Sequence, residues 1–398
     1  MGVGTLDSST TDDVAGRADT REQAVSVVDD RRFGDLVGGV ADALRVPGLF
    51  WIPSVAGWPH SWLPVGHSEY KLAYGLDIAR TARYAADVLI PSMPVYAPDW
   101  FPEPVAPLFF HPSRVDQHGD QYGDQTSHPR EAWLFVNGIL TDTDVAEINA
   151  DYLADLFHRP VKMLQNSTDG FVEDLVKCAD QKTFRRIGEA STVSFPALYA
   201  ALKDADKQRV VLIAHSQGTL IAAVMLRLIE LIYLPVGRAR RRRSIGAAAH
   251  KAVRDAGVGL NMEDFEPLMP DELARLEVYC FANCATQMRY VDARKRLPWI
   301  ESFGNQYDIV ARLGVLAPAP RKRGIRIDGP RYERKRAWGH LLNRHYLSAI
   351  DRRQRTGNMQ GPVDDSAAPF VLLDPAAWPD ETQPRLYRYL NGGEPIPS

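Results

Sequence analysis

The sequence predicts an α/β fold, with a mainly parallel central sheet covered by helices on both faces. Three observations lead there. From Ala132 onward, short apolar and β-branched runs alternate with helical stretches. The runs are nearly continuous in apolar residues, as strands buried on both faces must be. The polar residues suited to chemistry fall where these runs end, at the edge of a parallel sheet where ligands gather.

Composition bounds the rest. A chain of 398 residues can bury a large core, as one big domain or two modest ones. A net charge of −3 supplies no basic field, so no nucleic-acid partner is expected. Cys178, Cys280 and Cys284 are too few for a disulfide framework, and the last two lack the further ligands of a zinc site; reduced core thiols are expected. The N-terminus has no basic start followed by an apolar run, so no secretory signal is predicted and a cytoplasmic address is expected.

Residues 1–30, polar and acidic, predict a disordered tail. Residues 31–130 are rich in proline and aromatics and predict an extension packed on the core, with a helix around Tyr70 to Leu89. Val115 to Arg130 reads as a loop. Its His118 and His128 could be metal ligands, but no second ligand pair sits at a fixed spacing, so solvated loop residues are the expectation. Residues 131–350 predict the main domain, its strands carried by W-L-F-V-N-G-I, V-K-M-L-Q-N, R-V-V-L-I-A-H, L-E-V-Y-C-F-A-N-C and W-I-E-S-F-G-N. Leu220 to Val236 is the longest apolar stretch. Arg227 and Glu230 interrupt it, and it falls short of the roughly 20 residues that span a bilayer, so it predicts a buried helix. A lid or cap insertion is expected at about 236–270 and a C-terminal extension at 351–398.

The run Val210 to Ala214 ends in His215, Ser216, Gln217 and Gly218, and a helical run begins at once. Strand, sharp turn and helix around a serine make a nucleophile elbow, in which the residues two before and two after must be small. Here they are Ala214 and Gly218. The alternative is a serine capping the helix. The Gln217 amide would supply one oxyanion donor. The Ile139 amide would supply the second, with Gly138 letting the backbone turn close to substrate and Asn137 standing just before. A serine needs a base and the base an acid, in the order Ser, Asp, His. Asp308, after the run Trp299 to Gly304, is the expected acid, with a helix N-cap as its alternative and Asp292 in reserve. Two histidines follow in order. His340, after a glycine at the junction of a predicted strand (G-I-R-I-D) and the last helix, is the expected base, and His345 is the reserve. His215 is expected to point away from the acyl pocket and pack against the sheet, without transferring protons.

Together, A-H-S-Q-G and D-I-V-A-R-L resemble the α/β-hydrolases, and within them class 3 lipases and related lipase-like proteins, over roughly residues 131–350. Ala214 departs from the usual first glycine, and Asn137 stands where a histidine or arginine is common. The resemblance implies an α/β-hydrolase fold and ester hydrolysis through an acyl-enzyme, with Ser216, Asp308 and His340 as the triad and no metal or organic cofactor. It leaves the substrate open; a lipid-like ester is expected. The alternatives are an inactive lipid-binding or interaction module of the same fold, and an amidase or thioesterase with the same triad. Arg238 to Arg243, in the expected lid, could touch an anionic lipid surface peripherally or form a solvated loop. A second basic cluster, Arg321 to Arg326 with Arg331 to Arg336, flanks the predicted last strand. No specific protein partner is predicted.

Overall fold

The computed structural model describes residues 114–119, 128–137, 143–165, 181–234, 260–318, 320, 324–337, 339–351 and 369–394. The expected tail, the helix near 70–89, Cys178, Arg238 to Arg243 and most of the expected lid lie outside them.

In chain order the elements are β1 (Arg114–His118), β2 (Glu131–Val136), α1 (Thr143–Phe157), β3 (Val161–Gln165), α2 (Gln181–Lys203), β4 (Arg209–His215) and α3 (Gly218–Ile232). Then come α4 (Pro270–Ala274), β5 (Leu276–Phe281), β6 (Gln287–Met288), β7 (Trp299–Asn305), α5 (Ile309–Leu313), β8 (Arg326–Ile327) and β9 (Arg331–Arg334). A π-helical turn (Leu342–Leu347), β10 (Phe370–Leu372) and a 3-10 segment (Arg385–Gly392) follow.

Eight strands form one sheet in the order β1-β3-β2-β4-β5-β7-β9-β10, and β6 pairs with β8 apart from it. From β3 to β9 all neighbours are parallel, and only the outermost β1 and β10 run antiparallel. All five apolar runs read as strands form β2, β3, β4, β5 and β7. Successive side chains of a strand point to opposite faces, and both faces are covered. Leu134, Val136, Leu212 and Ala214 pack with Phe195 and Leu198 of α2 and with Ile221 and Met225 of α3. Trp133, Phe135, Val211 and Ile213 pack with Leu153 and Phe157 of α1 and with Tyr346 and Tyr389 further on. Each such large side chain stabilises the fold by roughly 1.5–3 kcal/mol. The helix α3 is buried along nearly its whole length, as its sequence predicts. No helix among the described residues is long and apolar enough to cross a membrane.

Three stretches differ from expectation. The loop reading of Val115 to Arg130 fails at its start, where β1 pairs with β3 in the register His118 to Val161. As an outermost strand, β1 tolerates the polar sequence R-V-D-Q-H that hid it. The stretch G-I-R-I-D yields only the two-residue β8. The main-sheet strand before His340 is β9, R-Y-E-R, which belongs to the second basic cluster itself. Only Tyr332 of β9 is buried, which explains the missing apolar run. The sheet also recruits chain from beyond 131–350: β1 precedes that span, and β10 and the 3-10 segment follow it.

Candidate active site

The strand β4 ends at His215, and Ser216 turns the chain with φ +56°, in the left-handed region. For a residue with a Cβ this costs about 1–2 kcal/mol, so the surroundings must hold it. They do so from two strands and a helix. The Ser216 N–H donates to the Phe281 carbonyl of β5 (3.0 Å). The Ser216 carbonyl accepts from the Thr219 hydroxyl (2.6 Å) and the Cys284 thiol (3.4 Å). At Gly218 a Cβ would stand 2.4 Å from the Val136 carbonyl oxygen and 2.6 Å from that of Asn137. Glycine therefore lets α3 start directly against the end of β2. The cap reading of Ser216 does not hold, because Gln217 is the N-cap residue and no side chain caps the helix.

At the end of β7, Asp308 serves two ends at once. It is the N-cap of α5, its Oδ1 accepting from the Val310 N–H (2.8 Å). Its Oδ1 and Oδ2 also lie 3.1 and 2.9 Å from His340 Nδ1. The capping alternative and the acid expectation thus describe the same carboxylate. Tyr346 donates its hydroxyl to Asp308 Oδ2 (2.6 Å) and accepts from the Asn305 N–H (3.1 Å). Burial alone would raise the Asp308 pKa, but His340, the Tyr346 hydroxyl and the Val310 amide outweigh it, so the carboxyl titrates below its usual range.

His340 Nε2 lies 2.8 Å from Ser216 Oγ. A carboxylate on Nδ1 requires Nδ1 to carry the proton, so the neutral ring leaves Nε2 as acceptor for the serine hydroxyl. The geometry is a continuous chain: carboxylate, imidazole, hydroxyl. Asp308 is fully buried within it, whereas the His340 side chain keeps 22 % of its surface exposed.

His345, the reserve base, stands elsewhere. Its buried Nδ1 accepts the Leu341 N–H (2.9 Å), and burial first, with Arg344 adding, pushes its pKa down to about 3. It shapes the loop that carries His340. A Cβ at Gly339, where φ is +93°, would meet the His345 ring at 2.5 Å. Asn305 Nδ2 donates to the Gly339 and His345 carbonyls (3.1 Å each), and Arg334 Nη1 donates to the latter (2.8 Å). The reserve acid Asp292 is likewise engaged elsewhere. It accepts the Tyr233 hydroxyl (2.9 Å) and the Arg294 and Lys295 amides (3.1 and 3.3 Å), which make it the organiser of a turn.

His215 departs from expectation in one respect. Its ring does not merely pack on the sheet; it lies 4.8 Å from the His340 ring, and Nε2 meets the His340 carbonyl at 2.8 Å. Of the expected oxyanion donors, Gln217 is buried at the start of α3, whereas Gly138 and Ile139 lie outside the described residues. Asn137, just before them, is buried at the end of β2. His118 pairs with Asp151 (2.9 Å) and His128 donates Nε2–H to the Gly392 carbonyl (3.1 Å). Among the described residues no group of three or more His, Cys, Asp or Glu could hold a metal ion. Cys280 and Cys284 are free thiols.

No protein-family model matches the chain, and no curated protein matches it. What the site can do therefore rests on its own geometry. A hydroxyl on a strained turn, in reach of an imidazole whose far nitrogen is held by a buried carboxylate, can be deprotonated as it attacks. Sequence reasoning missed Tyr346, Asn305, Thr219 and Cys284. For Tyr346 one general signal existed: a tyrosine in an otherwise apolar helical stretch needs a buried partner for its hydroxyl.

Proposed function

We propose that this chain is a serine hydrolase of the α/β-hydrolase type that cleaves carboxylic esters, lipid-like ones among them, through an acyl-enzyme. One observation carries the reading: the Ser216 Oγ–His340 Nε2 contact of 2.8 Å continues through His340 Nδ1 to a buried, ionised Asp308. The chain order Ser, Asp, His and the position of all three beyond carboxyl ends of parallel strands support it further.

Ser216 Oγ attacks the ester carbonyl as its proton passes to His340 Nε2. The imidazolium is held by Asp308, which stays ionised. The Gln217 amide, at the start of a helix, stabilises the oxyanion, with the Ile139 amide as the expected second donor. Collapse of the tetrahedral adduct breaks the ester C–O bond, and the departing alkoxide takes the proton back from Nε2. Water then repeats the sequence on the acyl-enzyme and releases the acid.

The test is labelling by a fluorophosphonate probe together with turnover of short p-nitrophenyl esters. Wild-type protein labels and turns over, and Ser216→Ala does neither while keeping its fold. A folded wild type that neither labels nor hydrolyses any member of an ester, thioester and amide panel removes the enzyme reading in favour of a binding module. Faster turnover of the thioesters or amides would redirect the substrate class.

A further inference from the structure

We propose that His215 is a positioning residue for the reaction at Ser216, tying the loop that carries the base to the turn that carries the nucleophile. The inference rests on the hydrolase reading above and adds a component to it.

A carbonyl oxygen only accepts, so the 2.8 Å contact between His215 Nε2 and the His340 carbonyl places the proton on Nε2. That bond is the ring's polar anchor. The residue is 4 % exposed, and its Nδ1 is buried with no hydrogen-bond partner among the described residues. A residue needed only to fill this space would be apolar, because an unpaired buried nitrogen is costly. Burial first, and the neighbouring His340 next, push the His215 pKa down to about 3, so the ring stays neutral and keeps its donor.

The place of this bond in the loop matters most. Three successive residues are each held through the main chain by a side chain. The Gly339 carbonyl accepts from Asn305, the His340 carbonyl accepts from His215, and the Leu341 N–H donates to His345. Asn305 belongs to β7 and His345 to the base's own π-helical turn. His215 alone of these three adjoins the nucleophile. It therefore fixes the Oγ–Nε2 separation directly, and losses of such alignment fall on the chemical step.

Two amide side chains separate this role from polarity and size. Glutamine can place an NH₂ near the position of His215 Nε2, whereas the asparagine amide stops near Nδ1. Phenylalanine keeps the ring and removes the donor. His215→Asn and His215→Phe are expected to lower kcat by about 10- to 100-fold with KM within about twofold of wild type, and His215→Gln to recover most of that loss. Hydrogen exchange of peptides covering residues 339–341 should accelerate in the first two variants and stay near wild type in the third. The inference is overturned if folded His215→Asn keeps wild-type kcat and exchange, or if folded His215→Gln is as impaired as His215→Asn. Should His215→Phe fail to fold, the Gln and Asn pair decides. A wild type without hydrolase activity would sink the reading beneath, and the exchange pattern would still show whether the tether exists.

Discussion

At the two ends of the central sheet sit two buried carboxyls that behave in opposite ways. Asp308, at the carboxyl end, titrates below its usual range although burial opposes ionisation, because an imidazole, a phenol and a backbone amide all favour its charge. Glu301, in the amino-terminal half of β7, receives the Trp299 indole N–H (3.1 Å) and the Arg385 amide (2.8 Å), yet burial wins and raises its pKa to about 8. Glu277, on the neighbouring strand, adds like charge. The 3-10 segment Arg385–Gly392 closes this end, with Tyr389 donating to Glu277 (2.6 Å) and accepting from Arg209 (3.0 Å). The difference teaches that burial raises a carboxyl's pKa unless specific partners outweigh it. The amino end encloses its carboxyls beneath the 3-10 segment. The carboxyl end keeps a carboxylate ionised and aligns it on a serine through a half-buried histidine.

The comparison breaks first at Asp308. Asp308→Asn keeps the shape but presents no charge to hold the imidazolium, and it can favour the wrong histidine tautomer. A fall in kcat of about 10⁴-fold is expected, with the fold intact by circular dichroism. A variant keeping a tenth of wild-type turnover would mean that the carboxylate is only the cap of α5.

The counterpart at the amino end is Arg159, whose side chain is 1 % exposed and whose Nε donates to Glu131 (3.0 Å). Its guanidinium also lies 5.7 Å from the Trp133 and Tyr389 ring centres. Arg159→Met strands the Glu131 carboxylate, and a loss of about 3–5 kcal/mol in urea unfolding is expected. The fluorophosphonate labelling rate per folded molecule should match wild type. A selective loss of labelling would show that the two ends are coupled.

Much of this division was legible in the sequence, for physical reasons that differ by element. Strands covered on both faces announce themselves as apolar runs, hence β2, β4, β5 and β7; β1 and β9 do not, because Asp116, Gln117 and His118 of β1 and all of β9 but Tyr332 keep part of their surface exposed. Ser216 was legible because its turn imposes strict local demands, met by Ala214 and Gly218. Asp308 was legible with two readings, and the carboxylate both caps α5 and meets His340 Nδ1. The choice between His340 and His345 depends on backbone direction: the left-handed Gly339 and the Leu341 N–H on His345 Nδ1 assign the two rings their places. Nothing in a string of letters carries that. The covering of the amino end by residues 385–392 was invisible as well, since it joins side chains more than a hundred positions apart, as Tyr389 joins Glu277.

The two ends should also set opposite arms of a stability–pH curve. The pKa of Glu301 is raised on folding from 4.5 to about 8, so its contribution is complete below about pH 4.5 and is lost as pH rises through about 8. His215 and His345 are lowered from 6.5 to about 3, so their contribution is complete above 6.5 and is lost as pH falls towards 3. Glu301→Gln should flatten the alkaline arm, whose slope reaches about 1.4 kcal/mol per pH unit for a single group, and leave the acid arm in place. Urea midpoints collected from pH 4 to 9 would reveal it. An unaltered alkaline arm would remove Glu301 as its cause.

The smallest expected effect returns to the carboxyl end, at Tyr346. Its hydroxyl joins Asp308 to the end of β7, donating to the carboxylate while accepting from the Asn305 amide. Tyr346→Phe keeps the ring that packs on Phe281 and Phe370 and removes only that oxygen. With one of its three stabilising partners gone, Asp308 should titrate higher, which moves the acid loss of activity upward in pH. The unpaired Asn305 N–H and the looser carboxylate should together cost about tenfold in kcat, or about 1.4 kcal/mol. A kcat–pH profile distinguishes tuning from scaffolding. If the acid limb stays in place while stability falls, Tyr346 belongs with the wrapped charges of the amino end; if the limb moves, the site is built from four side chains rather than three.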